Sequence, residues 1–568
     1  MTGKAPLRVL LAGSILAWLS LRVAALFSTA FNWDELVLFD RAASSLADGL
    51  LRGGGHGSLS ELLVAPLLAG CQDEIAAGRW ARGMWTVISL VYLGGIAMLL
   101  AELLRGRPQR GHDMALGVAL LALLPVFVEW SLQVRTDHLA AAGGVWGGTW
   151  LLASRRRPLL AVPSGLAFAL GWLSSQKLAY LALLMLCLEV GRLLLALEWR
   201  PRRELLRAAL LAVTVLAVTA GYRAGLELLF TVPAGHPTSP LPEAGWVASY
   251  LDLFGFYRNT IGYSQHQAVL PSLAPHAVLV AGLLIASGVA WRRRCVDPRV
   301  VLAWGVLALG VAVGLFHAAA FSYFWITLGL FPAIALALAA GPVRDLLPNR
   351  WRAPAVASLW CALALPGLMQ SVSLLDDSQT VQRESLRFVH RNFVPDAVGF
   401  HPEMGVFCSE APPRTRSAWL SQTIYLHFGS SERERSVLAM KRRFRRDRVQ
   451  YLVNSFRLNQ FPVELRRFWD EHYQPYRASV FVAGRRLQGH AGESSDFELL
   501  VPGTYRWLPL EGPQTVHIDD RPLAPGATVV LDAALHRVAF PEDVSAGVLV
   551  LALKDPPGPA PLAFYKQY

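Results

Sequence analysis

The chain has 568 residues, of which 54% are hydrophobic and 17% are charged, and its mean hydropathy is +0.37. A water-soluble protein of this length carries about 25% charged residues, so the composition excludes an ordinary soluble enzyme and indicates a polytopic membrane protein. The formal net charge of +12 would suit a nucleic-acid-binding protein, unless the basic residues serve another purpose.

Apolar runs long enough to cross about 30 Å of hydrocarbon recur through the first two-thirds of the chain. The first run is too long for the apolar core of a secretion signal, and many more follow it, so we interpret it as a retained helix. About eleven spans are predicted, near residues 7–31, 83–104, 113–132, 138–154, 158–174, 176–197, 206–230, 272–291, 299–318, 321–341 and 353–373.

The basic residues are concentrated in every second connection between these spans. These connections read RGRPQR, SRRRP, EWRPRRELLR, WRRRCVDPR and GPVRDLLPNRWR, whereas the alternate connections are poor in Lys and Arg. Short cytoplasmic loops carry an excess of Lys and Arg. The pattern therefore predicts a cytoplasmic N-terminus and, for an odd number of spans, an extracytoplasmic C-terminal segment. Much of the net charge is thus an orientation signal, and no nucleic-acid partner is expected.

The predicted fold class is an all-α polytopic membrane domain with a C-terminal extracytoplasmic region. We assign residues 1–375 to the membrane domain and residues 376–490 to a segment with mixed α/β signals. Residues 491–568 alternate short strands with turns, which is typical of a small β-sandwich. Five widely spaced cysteines form no CxxC pair, so neither a zinc site nor a disulfide framework is indicated. Cys71 and Cys408 would both be extracytoplasmic, which allows one bridge.

The segment FNWDELVLFD (residues 31–40) follows directly on the first apolar run. Asn32 and Glu35 have the spacing of a capping box, which would explain Glu35 structurally. The same explanation accounts less fully for Asp34, whose carboxylate could take a proton from an attacking hydroxyl. Amphipathic helices are predicted on either side of the GGGHG sequence later in this first outer loop.

Other polar residues also fall on the predicted outer side of the membrane. Polar residues at membrane depth or at its edge are functional candidates by default. The candidates on the outer side are Arg135, Asp137 and His138 in QVRTDHLA, Lys177 in SSQKLAY, Tyr257 and Arg258 in the long loop after span 7, and His317 after span 9. A transporter would more often place such groups near the bilayer midplane. Their collection on one side suits a site that meets a lipid-borne substrate.

Each candidate also has a structural explanation. Asp137 could pair with Arg135 or cap the fourth span, and Lys177 could extend to the lipid headgroups. Arg223 and Glu227 are spaced i,i+4, which favours a structural ion pair. The acidic groups and histidines could together hold a metal, but no ligand spacing indicates one.

The sequence contains no phosphate-binding loop, nucleophile elbow, zinc-protease helix or dinucleotide fingerprint in a suitable context. A site on the outer face also has no access to cytoplasmic nucleotides, so a donor must arrive already activated. A sugar on a polyprenyl phosphate would be such a donor. Lys and Arg on the outer side could stabilise its phosphate as it leaves.

Three features together resemble the GT-C superfamily of integral membrane glycosyltransferases. They are the acidic pair after the first span, the amphipathic helices of the first outer loop, and an acidic residue after the third span. Members include protein O-mannosyltransferases and the bacterial enzyme that adds aminoarabinose to lipid A. The resemblance covers about residues 1–375, and the last third loosely resembles accessory extracytoplasmic domains of this superfamily.

The resemblance implies an inverting glycosyltransferase of the bacterial cytoplasmic membrane, with a polyprenyl-phosphate sugar donor and a lipid, glycan or protein acceptor. It implies that Asp34 is the catalytic base, with Glu35 beside it, and that Asp137 helps to form the site. Lys177 would lie near the donor phosphate. The remaining substrate-binding candidates are Arg135, His138, Tyr257, Arg258 and His317. Some members use a divalent metal and others none.

Two other functions fit the same outline. One is a transporter or flippase of lipid-linked glycan, and the other is a polysaccharide polymerase. A polar path across the bilayer would favour the transporter, whereas one outward cavity with Asp34, Asp137 and Lys177 would favour the transferase.

We predict that residues 374–568 are extracytoplasmic, because loop charge and span number agree. A C-terminal alkaline phosphatase fusion should be active in intact cells, and a C-terminal green fluorescent protein fusion should remain dark. A reporter that is active only in the cytoplasm would contradict both the orientation and the placement of the candidate residues.

Overall fold

A computed structural model provides the structure of the chain. It describes residues 4–48, 58–106, 110–175, 177–196, 201–230, 298–316, 324–376, 378–393, 397–401, 433–455 and 457–558, with isolated positions at 280–281, 284–285, 287–288, 408, 424 and 428. The chain divides into two compact units. The first comprises Met1–Ser28, Arg41–Ala69 and Arg79–Asp376, and the second comprises Thr29–Asp40, Gly70–Gly78 and Asp377–Tyr568.

The regular secondary structure among the described residues up to Ser373 is helical. In chain order they are α1 (Lys4–Ser28), α2 (Trp33–Asp48), α3 (Ser58–Leu68), α4 (Glu74–Leu103), α5 (Arg110–Ala122), α6 (Pro125–Trp130), α7 (Thr136–Ala153), α8 (Ala161–Ser174), α9 (Leu178–Ala196), α10 (Pro201–Leu229), α11 (Pro298–Phe316), α12 (Trp325–Leu328), α13 (Leu330–Leu346) and α14 (Asn349–Ser373). A 3₁₀ turn at Pro158–Leu160 precedes α8.

Within the described residues, four helical stretches are long and apolar enough to cross a membrane. They are Glu74–Leu103, Pro201–Leu229, Trp325–Asp345 and Asn349–Phe393, and shorter apolar helices accompany them. Helices lie in ten of the predicted intervals, whereas the interval near 272–291 falls mostly outside the described residues. A helical membrane protein is therefore supported, and the number of about eleven spans stays a prediction.

The first unit has a continuous apolar core. Its buried side chains come from α1, α4, α5, α6, α7, α9 and α11–α14. Helix α7 approaches its neighbours closely through glycines on two faces. A Cβ at Gly143 would lie 2.5 Å from the Ala167 carbonyl oxygen of α8, and a Cβ at Gly148 would lie 2.3 Å from the Met185 sulfur of α9. Small residues allow such close packing of membrane helices.

The second unit contains three further helices and eleven strands among its described residues. The helices are α15 (Ser378–Phe393), α16 (Arg433–Asp447) and α17 (Val463–His472), with a 3₁₀ turn at Leu458–Gln460. The strands are β1 (Gly399–Phe400), β2 (Tyr451–Val453), β3 (Tyr473–Arg477), β4 (Val480–Gly489), β5 (Ser494–Glu498), β6 (Gly503–Pro509), β7 (Val516–Ile518), β8 (Arg521–Leu523), β9 (Thr528–Leu531), β10 (Leu535–Ala539) and β11 (Val544–Leu551).

These strands form two sheets. The larger has the order β1-β2-β4-β11-β6-β9, with β3 also paired to β4, and the smaller has the order β5-β10-β7-β8. Only the β1–β2 pair is parallel among these described pairings. The first half of β4 pairs with β2 and β3, and its second half pairs with β11. Strand β4 thus hydrogen-bonds to two strands that precede residue 490 in the chain and to one that follows it. The domain boundary at residue 490 stays a prediction.

Aromatic side chains fill the core between these helices and the larger sheet. Phe400 of β1 and Phe444 of α16 have ring centroids 5.2 Å apart, and Trp469 of α17 lies 5.6 Å from Phe400. Phe461 lies 5.2 Å from the Trp469 ring. Large rings bury much apolar area per residue, so this cluster ties α16 and α17 to β1.

A disulfide links two distant parts of the second unit. Cys71 and Cys408 have Cα atoms 5.1 Å apart and a sequence separation of 337 residues. The Glu74 Oε1 atom accepts hydrogen bonds from the Cys408 backbone N–H, at 3.1 Å, and from His390 Nε2, at 2.8 Å. The Cys71–Cys408 disulfide, which the predicted topology allowed, is therefore present. Such bonds persist in oxidising compartments.

We predict that Cys71→Ser with Cys408→Ser lowers the free energy of unfolding by about 2–4 kcal/mol, because the bridge restricts the unfolded chain. Thermal unfolding of purified protein in detergent, with and without reductant, would measure this. Serine at Cys187 and Cys361, which are free and exposed, serves as the control. Equal unfolding temperatures for the bridge variant and the control would contradict the prediction.

Candidate functional site

The first unit brings Arg135, Asp137, His138 and Lys177 together, and we call these residues the Asp137 cluster. Helix α6 ends at Trp130, and Arg135 has an extended backbone, with φ −134° and ψ 143°, immediately before α7. Asp137 therefore lies in the first turn of α7. A carboxylate is favourable there, because the unpaired N–H groups give this end of a helix a partial positive charge.

Lys177 reaches the cluster from the break between α8 and α9. Ser175 follows α8 in an extended conformation, with φ −161° and ψ 138°, and so ends the helix. The Lys177 ammonium lies 2.9 Å from Asp137 Oδ1 and 3.0 Å from Oδ2. The Ser175 hydroxyl adds a longer contact of 3.4 Å to the same carboxylate. The connection before α7 and the connection between α8 and α9 thus meet at Asp137.

Arg135 is the second cation beside this carboxylate. Its Nε atom lies 3.7 Å from Asp137 Oδ2, and its guanidinium carbon lies 5.3 Å from the centre of the Trp130 ring. The Trp85 indole N–H donates to the Arg135 carbonyl oxygen at 2.7 Å, which fixes the backbone where α7 begins. Arg135, Lys177 and Asp137 therefore sum to one positive charge in a largely buried setting.

The two ends of the Lys177–Asp137 pair differ in exposure. The Asp137 side chain is 4% exposed, whereas the Lys177 side chain is 18% exposed. The Lys177 ammonium also lies 5.6 Å from the centre of the Phe324 ring. An ammonium has three N–H donors and a carboxylate offers only acceptors. Lys177 is therefore the more accessible member of the pair, and Asp137 holds its ammonium in position.

His138 is fully buried beside Asp137 on α7. Its Nδ1 atom lies 3.4 Å from the Arg135 carbonyl oxygen, and among the described residues its Nε2 atom has no hydrogen-bond partner. Most buried polar atoms are paired, so such an atom needs a specific explanation. The ring contacts the same backbone turn that carries Arg135.

The other acidic candidates belong to the second unit. Asn32 and Glu35 form a capping box at the start of α2: the Asn32 N–H donates to Glu35 Oε2, and the Glu35 N–H donates to Asn32 Oδ1, each at 3.0 Å. Glu35 is fully buried, whereas Asp34 is half-buried. The cap gives Glu35 a structural reason for its position. Asp34 takes no part in these two hydrogen bonds.

Helix α15 holds the backbone that leads into this cap. Gln382 accepts from the Phe31 N–H at 2.8 Å and donates to the Phe31 carbonyl oxygen at 2.7 Å. Ser378 accepts from the Ala30 N–H at 2.8 Å. Gly78 leaves room for the Phe31 ring, because a Cβ there would lie 2.5 Å from it. Asp34 therefore follows a segment whose conformation is fixed on both sides.

The remaining sequence candidates do not join either group. Tyr257, Arg258 and His317 lie outside the described residues. Arg223 and Glu227 form an exposed ion pair of 3.0 Å, in agreement with its structural interpretation. No three His, Cys, Asp or Glu side chains come together as a metal site within the part of the chain that the structure describes.

The sequence analysis missed other buried charges. Arg22 of α1 is buried and donates to the Ser131 hydroxyl at 2.8 Å, in the turn that precedes the Asp137 cluster. Glu189 of α9 accepts from Arg155 at 2.9 Å and from Arg207 at 2.8 Å. Arg22 and Glu189 are charged residues within apolar runs of the sequence, and this feature alone could have identified them as candidates.

No protein-family model and no curated protein matches the sequence. Solved structures do match. The apo structure of ArnT from Cupriavidus metallidurans is 13% identical, covers 85% of this chain and 98% of its own, and has a TM-score of 0.52. The same protein bound to undecaprenyl phosphate is 14% identical, covers 79% and 93%, and has a TM-score of 0.51.

The apo oligosaccharyltransferase of Archaeoglobus fulgidus is 11% identical, covers 98% of this chain and 97% of its own, and has a TM-score of 0.53. ArnT and this oligosaccharyltransferase are both GT-C membrane glycosyltransferases. At these identities the similarity concerns the fold. The resemblance that the sequence indicated is confirmed at that level: the chain shares the fold of GT-C membrane glycosyltransferases.

Proposed function

We propose that the chain is an inverting glycosyltransferase of the bacterial cytoplasmic membrane. It moves a sugar from a polyprenyl-phosphate donor to an acceptor hydroxyl or amine on the outer face. The shared fold supports this proposal, since one of the similar structures holds undecaprenyl phosphate. Another, the Archaeoglobus fulgidus oligosaccharyltransferase at a TM-score of 0.53, is tethered to an acceptor peptide with the NVT sequon.

The Lys177–Asp137 pair is the observation that carries the proposal. Its carboxylate is nearly inaccessible, whereas its ammonium is partly exposed. With Arg135 the group comprises two cations and one carboxylate. Positive groups held in a poorly solvated setting stabilise negative charge as it develops on a leaving oxygen. A departing polyprenyl phosphate develops such a charge.

In the proposed step the acceptor oxygen or nitrogen attacks the anomeric carbon opposite the phosphate. A new bond forms to that carbon while the bond from carbon to phosphate oxygen breaks, and its electrons leave with the polyprenyl phosphate. Asp34 takes the acceptor's proton as general base. Lys177 and Arg135 stabilise the phosphate, and Asp137 acts as a positioning residue for Lys177. The acceptor is a lipid, a glycan or a protein.

The position of the cluster within its helices argues against a flippase or transporter. Asp137 lies in the first turn of α7, and Lys177 immediately precedes α9. Transporters more often place their polar sites near the bilayer midplane, on interrupted helices. A polysaccharide polymerase remains the second candidate, and it differs from the proposal in using two lipid-linked chains.

We expect Asp34→Asn and Glu35→Gln to differ sharply. The amide of Asp34→Asn keeps the shape of the side chain but takes no proton, so transfer should fall by about 10²–10⁴-fold, as for loss of a general base. Glu35→Gln should lose far less, because Gln also serves at this position of a capping box. Sugar transfer from a polyprenyl-phosphate donor by purified protein, with the unfolding temperature measured in parallel, tests both.

Equal, mild effects of the two substitutions would mean that the pair only starts a helix. Loss of activity in both variants, at unchanged stability, would indicate instead that both carboxylates bind the acceptor or a metal.

We also expect Lys177→Ala to weaken donor binding and Asp137→Asn to lower the stability of the protein. Lys177→Ala should raise the KM for the donor, while Asp137 keeps Arg135 as a partner. Asp137→Asn removes the carboxylate that pairs with the buried Arg135 and the partly exposed Lys177, and breaking a buried pair costs about 3–5 kcal/mol. The unfolding temperature should therefore fall much more for Asp137→Asn.

Arg223→Gln is the matched control, because Arg223 belongs to an exposed pair outside the Asp137 cluster. Unchanged donor kinetics in Lys177→Ala would remove Lys177 from the site. A loss of stability in Lys177→Ala as large as that in Asp137→Asn would contradict the assignment of separate roles.

A further inference from the structure

A groove of about 310 Å³ lies in the second unit. Helix α15 forms one wall, and Arg477 at the end of β3 and the segment after β11 form the other. Its charged lining consists of Arg383, Arg387, Arg391, Arg477, Glu384 and Asp555. A volume of about 300–1,000 Å³ is usual for small-molecule sites.

Three of the arginines follow one face of α15. Arg383, Arg387 and Arg391 are spaced by four residues, so they lie one above the other over about 12 Å of helix. Like charges at this spacing weaken a helix. The opposite face of α15 carries its buried side chains, including Gln382 and Val389. The fold does not require the arginine row for packing, because Arg387 and Arg391 are exposed.

The two carboxylates of the groove are already held by other groups. Glu384 Oε1 accepts from Arg477 Nε at 3.0 Å. Asp555 accepts from the Asn392 side-chain amide at 3.2 Å, and its backbone N–H donates back to Asn392 at 3.1 Å. Within the described residues the three arginines of the row form no ion pair. In the part of the chain that the structure describes, the row is therefore a set of planar donors without a paired carboxylate.

The charges and hydrogen-bonding groups of the groove define the ligand chemistry. Four arginines against two carboxylates give an excess of two positive charges. Arginine forks match the oxygens of phosphate and carboxylate groups in pairs. The oxygens of Glu384 and Asp555 repel a bare polyphosphate but accept hydrogen bonds from hydroxyl groups. The ligand should thus carry both oxyanions and hydroxyls.

We propose that this groove binds an anionic saccharide with two or more phosphate or carboxylate groups. The arginine row holds the oxyanions, and the carboxylates of Glu384 and Asp555 accept the sugar hydroxyls. This binding goes beyond the proposed transfer reaction and requires no polyprenyl-phosphate donor. It can therefore be measured in protein that carries an inactivating Asp34→Asn substitution.

Calorimetric titration of the full chain in nanodiscs of neutral phosphatidylcholine tests the proposal. The probes are fructose bisphosphate, fructose monophosphate and neutral sucrose. The bisphosphate should bind saturably, the monophosphate more weakly, and sucrose not at all. Arg387→Gln with Arg391→Gln changes only exposed side chains and should weaken bisphosphate binding about tenfold or more, as for loss of charged hydrogen bonds. Adding Arg383→Gln should abolish binding.

A matched control removes the same three positive charges elsewhere in this unit. It combines Arg442→Gln of α16 with Arg466→Gln and Arg467→Gln of α17, all of which are exposed. The control should bind the bisphosphate as the parent protein does. Equal weakening in the control would mean that net charge alone attracts the probe and would overturn the proposal.

Two further results would overturn it. One is the absence of saturable binding of the bisphosphate to the parent protein. The other is an effect of the arginine substitutions seen only in nanodiscs with anionic phosphatidylglycerol, because the row would then contact a lipid surface. Unchanged unfolding temperatures in the double variant show that lost binding does not reflect lost structure.

Discussion

One buried carboxylate pairs with two cations in the first unit, and it joins the start of α7 to the break between α8 and α9. Asp137 at the start of α7 contacts Lys177 at 2.9 Å and Arg135 at 3.7 Å. Removing charges from water is costly unless partners compensate them. Here Asp137 is the carboxylate shared by the two cations, and Lys177 keeps partial access to solvent. Two cations beside one carboxylate make the cluster suitable for an anionic leaving group.

The second unit fixes its acidic pair by a different physical means. Hydrogen bonds from polar side chains of α15 to the backbone of Ala30 and Phe31 hold the chain before α2. The capping box engages Glu35, which is fully buried, whereas the adjacent Asp34 is half-buried. Two neighbouring residues of the same chemical type thereby acquire different surroundings. Such a division of roles is the usual condition for one carboxylate to act in proton transfer.

Much of this organisation could be predicted from local sequence. Apolar runs located the helices, the spacing of Asn32 and Glu35 indicated the cap, and alternation with turns indicated the strands after residue 490. The pairing of Asp137 with Lys177 could not be predicted, because forty residues and two helices separate them. The contact between Phe31 and Gln382 spans 351 positions. Arg22 and Glu189 were overlooked because the surrounding apolar residues dominate a hydropathy pattern.

The glycines of α7 determine how closely this helix packs against its neighbours. Gly143 meets a backbone carbonyl of α8, and Gly148 meets a side chain of α9, so α7 is wedged between two neighbours without spare volume. A helix in this situation cannot slide or rotate without opening both contacts at once. The carboxylate at its first turn therefore belongs to a helix with little room to shift. Close packing of the smallest side chains in this way makes α7 one of the stiffer parts of the first unit.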